Sequence, residues 1–213
     1  MVSFGLKGKG FNSRKMIVEL FGYLSGVAIL LSFVPYTIDI LKGRTRPERI
    51  SWLIWGLLGS VFFFSQLAKG GTYSNILAGV QTIGDFFIFL LAIKYGIGGF
   101  MKRDIIGFAG ALLGLFLWYI TKEAAIALFL AIFVDAIGTG LTVVKSYELP
   151  ETENITAWLL TFLGGLFACV AVGSFDLILL ALPIYICLAS LSILTAIGIG
   201  RRHKLKYQNE VSK

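Results

Sequence analysis

Charged residues are scarce in this sequence, at 15% of its 213 residues, whereas apolar residues make up 57%. A water-soluble globular protein of this length needs a larger polar fraction to cover its surface. The shortage of charge excludes a soluble enzyme or a soluble binding domain. It predicts instead an all-α integral membrane protein whose surroundings are the lipid bilayer.

Residues that carry chemistry are also few. The two cysteines, Cys169 and Cys187, lie inside apolar runs, where a thiol usually behaves as a small apolar side chain. The single histidine, His203, lies in a basic carboxyl-terminal segment and is interpreted as incidental. The sequence has no phosphate-binding loop, no metal-ligand cluster and no nucleophile with a neighbouring base. We therefore expect no enzymatic activity, no metal site and no cofactor.

Basic residues outnumber acidic ones, which gives the chain a net charge of +7. They occur in short segments between long uncharged runs, a pattern typical of charges that orient a membrane protein. A nucleic-acid partner is not expected, because no basic patch stands on a soluble domain.

Seven apolar runs are long enough to cross the hydrocarbon layer as helices, which takes about 20 residues each. They are Met16–Leu41, Ile50–Ala68, Ile76–Ile93, Ile105–Thr121, Ala124–Val144, Ile155–Val172 and Leu177–Gly200. An odd number of crossings puts the two termini on opposite sides. Thirteen of the nineteen Lys and Arg residues then fall on the side of the carboxyl terminus and six on the other. The positive-inside rule predicts an outside amino terminus and a cytoplasmic carboxyl terminus, in the cell membrane.

The apolar runs repeat along the chain. A shift of 106 residues superposes the first three runs on the last three without a gap, although few residues are identical in that register. The sequence thus predicts two three-helix repeats joined by a linker helix, a 3+1+3 arrangement. Its segments are a basic tail over residues 1–15, a first repeat over 16–96, a linker helix over 97–122, a second repeat over 123–200 and a basic cytoplasmic tail over 201–213.

Two acidic residues lie near the middle of predicted spans, Asp85 in the third and Asp135 in the fifth. A carboxylate at the bilayer centre costs about 2.5 to 3.5 kcal/mol, and no Lys or Arg lies at similar depth. Each residue is therefore expected to face the interior of the helix bundle. There it either couples protons or binds substrate, or it is a protonated acid that donates a hydrogen bond between helices.

Helical spacing adds polar neighbours to both acids. Gln81 lies one turn from Asp85, and Thr139 lies one turn from Asp135, so each pair shares a helix face. Gln81 is predicted to orient a substrate. Pro35, inside the first run, is predicted to be a hinge or, alternatively, a static bend.

Further residues are candidates for a cavity wall or for the membrane interface. Tyr36 and Asp39 continue a polar stripe in the first span, while Trp52, Trp55 and Trp158 open the second and sixth spans. Tryptophan at that depth is more often an interfacial anchor than a substrate platform.

Residues 34–52 read VPYTIDILKGRTRPERISW, with a proline late in the first span, a short basic loop and a serine that opens the second span. This segment resembles the signature of the PQ-loop and SWEET-like transporter superfamily, with Tyr36 in place of the motif's glutamine. The resemblance implies a 3+1+3 bundle with an outside amino terminus. It also implies a carrier of sugars or amino acids.

We therefore expect a small carrier that moves a polar solute by alternating access, coupled to protons through Asp85 and Asp135. The alternative is a receptor or assembly factor that has the same fold without transport, and a membrane-bound enzyme is a weaker third reading. Glycines with helix-packing spacing, Gly22 and Gly26, leave a homo-oligomer open.

Overall fold

The computed structural model of the chain describes residues 13–45, 47, 49–96, 105, 109, 112, 113, 116, 117, 119–121 and 123–211. Six long helices are defined in this part of the chain, and no strand occurs in it. They are α1 (Ser13–Leu41), α2 (Arg49–Ala68), α3 (Ile76–Tyr95), α4 (Ala124–Glu148), α5 (Ile155–Ala171) and α6 (Leu177–Val211). Helices α1 to α3 correspond to the first three predicted spans, and α4 to α6 to the last three.

Three helical segments are long and apolar enough to cross a membrane, namely Ser13–Leu41, Tyr73–Tyr95 and Leu177–Leu205. Three shorter apolar helices cover Trp52–Ala68, Ala125–Ala136 and Ile155–Ala171. The predicted all-helical membrane character is therefore confirmed, while the number of seven crossings stays a prediction.

Only about half of the fourth predicted span is described. Those residues are helical, and most of them, among them Ile105, Leu112 and Phe116, are exposed. The last helix runs further than predicted, because α6 continues through the basic segment that was expected to form a tail. Arg and Lys are good helix formers, and Lys204 in this extension is bonded to Glu151 at 2.9 Å.

Glycines end α1 and α2 by the same backbone geometry. Gly43 follows α1 with a φ of 69°, and Gly70 follows α2 with a φ of 84°. Each donates its backbone N–H to a carbonyl three residues earlier, and the next residue donates to the carbonyl five positions before it. This is the Schellman arrangement, which needs a residue that adopts positive φ without strain. The chain therefore turns sharply after both helices.

The six helices form a closed ring. Contacts run from α1 to α3, from α3 to α2, from α2 to α4, from α4 to α6, from α6 to α5, and from α5 back to α1. Within the first half (α1–α3) and the second half (α4–α6), the third helix thus lies between the first and the second. Each junction between the halves pairs the first helix of one half with the second helix of the other.

Side chains identify which helix ends lie together. Arg49, at the start of α2, donates to the carbonyl oxygens of Ala92 and Gly96 at the end of α3, at 2.9 and 2.8 Å. Asn154, just before α5, donates to Asp39 near the end of α1 at 3.3 Å. We call this end of the ring, which also carries the Lys204–Glu151 pair, the basic end.

The opposite end has its own connections. Lys69 after α2 pairs with Glu123 before α4 at 3.3 Å, and Arg14 donates to the carbonyl oxygen of Gly173. Gln66 in the last turn of α2 reaches the carbonyl oxygen of Leu179 in the first turn of α6 at 3.4 Å. The helices are therefore joined across the two halves at this end as well.

The junction of α1 and α5 depends on a glycine. A Cβ at Gly164 would lie 2.7 Å from the side chain of Ile29, which is fully buried. The hydroxyl of Ser25 donates to the carbonyl oxygen of Gly164 at 2.8 Å. Close approach of helix backbones through small residues is the usual means of helix association in lipid. This junction therefore holds the two halves together on one side of the ring.

Candidate functional site

A cavity of about 450 Å³ lies inside the ring, and all six helices contribute to its wall. Its volume is within the usual range for small-molecule sites, about 300 to 1,000 Å³. Most of the wall is apolar or aromatic, with a few polar side chains set into it. That composition is typical of a site that binds a small solute.

The cavity is displaced toward one end of the ring. Glu153 and Asn154, which precede α5 at the basic end, belong to its wall. Its wall on the other side is formed by Leu77 and Ala78 in the first turn of α3 and by Phe62 in α2. Beyond these buried residues, Gln66 and Leu179 bridge the halves at the opposite end. The cavity thus extends to the basic end and is separated by packed side chains from the other.

Asp85 lies in the middle of α3 and forms part of the cavity wall. The residue is only 3% exposed, and its Oδ1 accepts a hydrogen bond from Nε2 of Gln81 at 3.0 Å. The two side chains meet because residues four positions apart lie on one face of a helix. This bond leaves Oε1 of Gln81, a buried atom, without a hydrogen-bond partner among the described residues.

Asp135 lies near the middle of α4 and has two hydroxyl partners. Its Oδ2 accepts hydrogen bonds from Thr139, at 3.4 Å, and from the phenol of Tyr185 in α6. The two hydroxyls are themselves 2.9 Å apart. Asp135, Thr139 and Tyr185 therefore form a connected polar network across the contact between α4 and α6.

The two carboxyl groups belong to the same cavity although they come from different halves of the chain. Gln81 and Thr139 also form part of the cavity wall, as their spacing predicted. The functional role of these four residues stays a prediction.

Aromatic rings cluster on the cavity wall toward the basic end. The rings of Tyr36 and Trp52 are 5.1 Å apart, and those of Trp52 and Trp55 are 5.0 Å apart in an edge-to-face arrangement. Trp158, in α5, lines the cavity on the other side and donates to Glu153 at 3.0 Å. Because Trp52 is 9% exposed, its position does not correspond to the interfacial anchor considered from the sequence.

Two of the predicted residues lie outside the cavity wall. Asp39 instead bonds Asn154 and pairs with Arg44 at 3.6 Å, so it joins α1 to the segment before α5. Pro35 is half-buried within α1, which continues as a helix on both sides of it. Its role as a hinge stays a prediction.

Sequence reasoning missed several polar residues of the cavity wall, among them Tyr185, Glu153 and Asn154. The signal for Tyr185 was a phenol in the middle of an apolar span, since tyrosine in membrane helices usually lies at the interface. Glu153 and Asn154 precede a span, where Asn154 accepts the backbone N–H of Ala157 at 3.0 Å and caps the helix. Nothing in their local sequence distinguishes a capping segment from a cavity mouth.

The charge of the cavity is of one sign. Its wall contains three acidic residues, Asp85, Asp135 and Glu153, and none of the described residues in it is Lys, Arg or His. Among the described residues, no group of three or more His, Cys, Asp or Glu side chains could hold a metal ion. The site can therefore accept hydrogen bonds, exchange protons and attract a positive charge.

Comparison of the chain with models of protein families, with curated proteins and with solved structures finds no match.

Proposed function

We propose that the protein is a small membrane carrier that moves a polar solute by alternating access. The observation that carries this proposal is the single cavity, lined by both halves of the chain, that contains Asp85 and Asp135. Ionisable groups within membrane spans usually mark solute or proton pathways, because they are costly to keep there. A solute site between two halves is also the arrangement in which a rocking motion exposes the site to either side.

The proposed architecture is seven spans in a 3+1+3 arrangement, and the cavity supports it. Four pairs of residues in the first two helices of each half line the cavity with the same separation of 106 positions. They are Phe33 and Thr139, Tyr36 and Thr142, Trp52 and Trp158, and Trp55 and Thr161. Such a recurrence is expected of two repeats related by a two-fold axis through the cavity.

The third helices of the two halves follow a separation that is one residue shorter. Three pairs on the cavity wall are 105 positions apart, namely Leu77 and Leu182, Gln81 and Ile186, and Asp85 and Ser190. Packing agrees with this register, because a Cβ at Gly59 would meet Thr82, while one at Gly165 would meet Cys187, again 105 positions later. The second half therefore has one residue fewer than the first half before its last helix.

With these two separations between the halves, Asp85 and Asp135 do not correspond to each other. Asp85 corresponds to Ser190 in the second half, while Asp135 corresponds to the buried Ile29 in the first. We therefore propose different roles for them. Asp85, next to the unpartnered amide oxygen of Gln81, binds the solute. Asp135, in its network of hydroxyls, exchanges protons during the cycle.

The distribution of basic residues supports an outside amino terminus and a cytoplasmic carboxyl terminus in the cell membrane. In that orientation the basic end faces the cytoplasm. A cavity that extends to this end and is separated from the other corresponds to an inward-facing state. Bending at Pro35 in α1 is one way to reach the outward-facing state.

Membership of the PQ-loop and SWEET-like superfamily remains part of this proposal. It is supported by residues 34–52, by the recurrence between the halves and by the position of the cavity between them.

The test is solute uptake by proteoliposomes under an imposed pH gradient, with a panel of labelled sugars, amino acids and amines. We expect flux of at least one class above protein-free liposomes, and we expect Asp135→Asn to remove its dependence on the gradient. Asp85→Asn should lower flux with and without the gradient. Glu151→Gln is the matched control, since it also removes one negative charge but lies outside the cavity.

Absence of flux for every solute would sink the carrier proposal, provided the protein is folded in the vesicles. So would unchanged flux in both aspartate variants. A stoichiometric protein partner in a detergent pull-down, together with no counterflow, would favour the receptor or assembly role instead.

A further inference from the structure

The charge of the cavity limits what it can hold. Asp85 and Asp135 belong to one cavity of about 450 Å³, and none of the described residues in its wall is Lys, Arg or His. An anion in this space would lie beside two acidic groups, in surroundings that strengthen electrostatic repulsion. A neutral solute would leave the two midspan acids without any partner of opposite charge. A cation is the solute that supplies one.

The wall also offers surfaces that attract a cation. Seven aromatic residues line the cavity, among them Tyr36, Trp52, Trp55 and Trp158. The face of such a ring attracts a positive charge within about 6 Å, worth about 0.5 to 2 kcal/mol depending on desolvation. The same rings accommodate the hydrocarbon part of an organic ion. An inorganic cation would be attracted by the ring faces but has no hydrocarbon part to pack against the rings.

Hydrogen-bond capacity narrows the choice to a cation that donates. Oε1 of Gln81 is a buried acceptor without a partner, and Nε2 of the same residue is already used by Asp85. Oδ2 of Asp85 and Oδ1 of Asp135 likewise have no hydrogen bond from the described residues. All three oxygens are acceptors, and the buried one, Oε1 of Gln81, needs a donor to be satisfied. A protonated amine supplies N–H donors to them, which a quaternary ammonium group does not.

We propose that the cavity binds a small protonated organic amine. Its ammonium group lies between Asp85 and Asp135 and donates to Gln81, while its carbon skeleton lies against the aromatic rings around Trp52. This assignment names the solute class of the carrier and rests on the proposed function only in taking the cavity as a solute site.

The test is equilibrium binding to the detergent-solubilised full-length protein, followed by tryptophan fluorescence and thermal stability. The probes are two isosteric series at pH 7, each with a cation, a neutral compound and an anion: 2-phenylethylamine, 2-phenylethanol and phenylacetate, then butylamine, 1-butanol and butyrate. N-methylated forms of both amines test the need for N–H donors. Glucose and leucine represent the neutral and zwitterionic classes.

We expect the amine of at least one series to bind roughly tenfold or more tightly than its neutral and anionic isosteres. Its trimethylated form should bind more weakly than the primary amine. Asp85→Asn should reduce the preference for the amine at least several-fold. Glu151→Gln, outside the cavity, should leave it unchanged, which separates the cavity from general charge effects and from partition into the detergent.

Equal binding of all three members of each series overturns the inference, as does binding of no amine. These measurements need only the wild-type protein, so they hold even if Asp85→Asn fails to fold. Amine-selective binding without flux in proteoliposomes would leave this inference standing and sink the carrier function. Flux of a neutral solute, without preferential binding of any amine, would overturn this inference and support the carrier function.

Discussion

Tyr185→Phe removes one hydroxyl group from the cavity wall and keeps the ring. That hydroxyl donates to Asp135 and lies 2.9 Å from the hydroxyl of Thr139, so its loss breaks the connection between α4 and α6. Hydrogen bonds between membrane helices contribute about 0.6 kcal/mol on average and up to about 1.7. Bonds to a charged group contribute about 1.5 to 3 kcal/mol.

We therefore expect Tyr185→Phe to destabilise the protein by about 1 to 3 kcal/mol, which lowers the Tm by about 2 to 4 °C per kcal/mol in a chain of this length. The assay is thermal unfolding in detergent, followed with a thiol-reactive dye. Cys169 and Cys187 are free and only partly exposed, so their labelling reports unfolding. Tyr147→Phe is the control, because Tyr147 is an exposed tyrosine at the end of α4, the helix that carries Asp135, and is not part of the cavity wall.

A double-mutant cycle with Asp135→Ala makes the prediction specific. If the two side chains interact as described, the double variant is less destabilised than the sum of the single variants, by about 0.5 kcal/mol or more. Additive effects, or equal Tm values for Tyr185→Phe and Tyr147→Phe, would refute the network of Asp135, Thr139 and Tyr185 as a stabilising connection.

Three further predictions concern the helix ends and the junction of the halves. Gly164→Val should destabilise the protein by about 1 to 3 kcal/mol, because the new side chain does not fit against α1. Gly140→Ala is the control and should leave the Tm unchanged, because Gly140 faces open space. Equal Tm values for the two variants would contradict this. Arg49→Lys should also lower the Tm, since an ammonium group does not reproduce the two hydrogen bonds of the guanidinium to the end of α3. An unchanged Tm would argue against that contact. The hydrogen bond from Lys204 lowers the pKa of Glu151 below its ordinary value of 4.5, so this pair stabilises the fold above that pH and is lost as the pH falls through the lowered pKa. Because Glu151 is exposed to solvent, the acid-induced change in Tm that Glu151→Gln removes should be small, and a large one would refute a surface role.

The positions of the helices could be predicted because they depend on local properties of the chain. A run of about 20 apolar residues in lipid must satisfy its own backbone, so run length and composition are enough to indicate a helix. Six of the seven predicted runs correspond to α1 through α6, within a few residues except at the end of α6, and only about half of the fourth run is described. The basic extension of α6 was not predicted, because its residues lie beyond the apolar run, and the partner of Lys204, Glu151, comes from the segment between α4 and α5.

The candidate site was predicted only in part. Depth in the span identified Asp85 and Asp135, since the cost of a carboxyl group at the bilayer centre is a property of position along one helix. The polar stripe of the first span led to Asp39 as well, but its partners at the basic end are Asn154 and Arg44, and it lies outside the cavity wall. It also missed Tyr185, which meets Asp135 across 50 positions of sequence.

The sequence by itself determined that this is a helical membrane protein and that two acids lie near the middle of apolar helices. Both conclusions follow from the energy of single residues and single helices in an apolar solvent. Only the tertiary structure decided that the helices close into a ring, that both acids face one cavity and that the cavity extends to the basic end. Those features depend on which helix faces meet, and close packing at residues such as Gly164 selects the faces through contacts between distant parts of the chain.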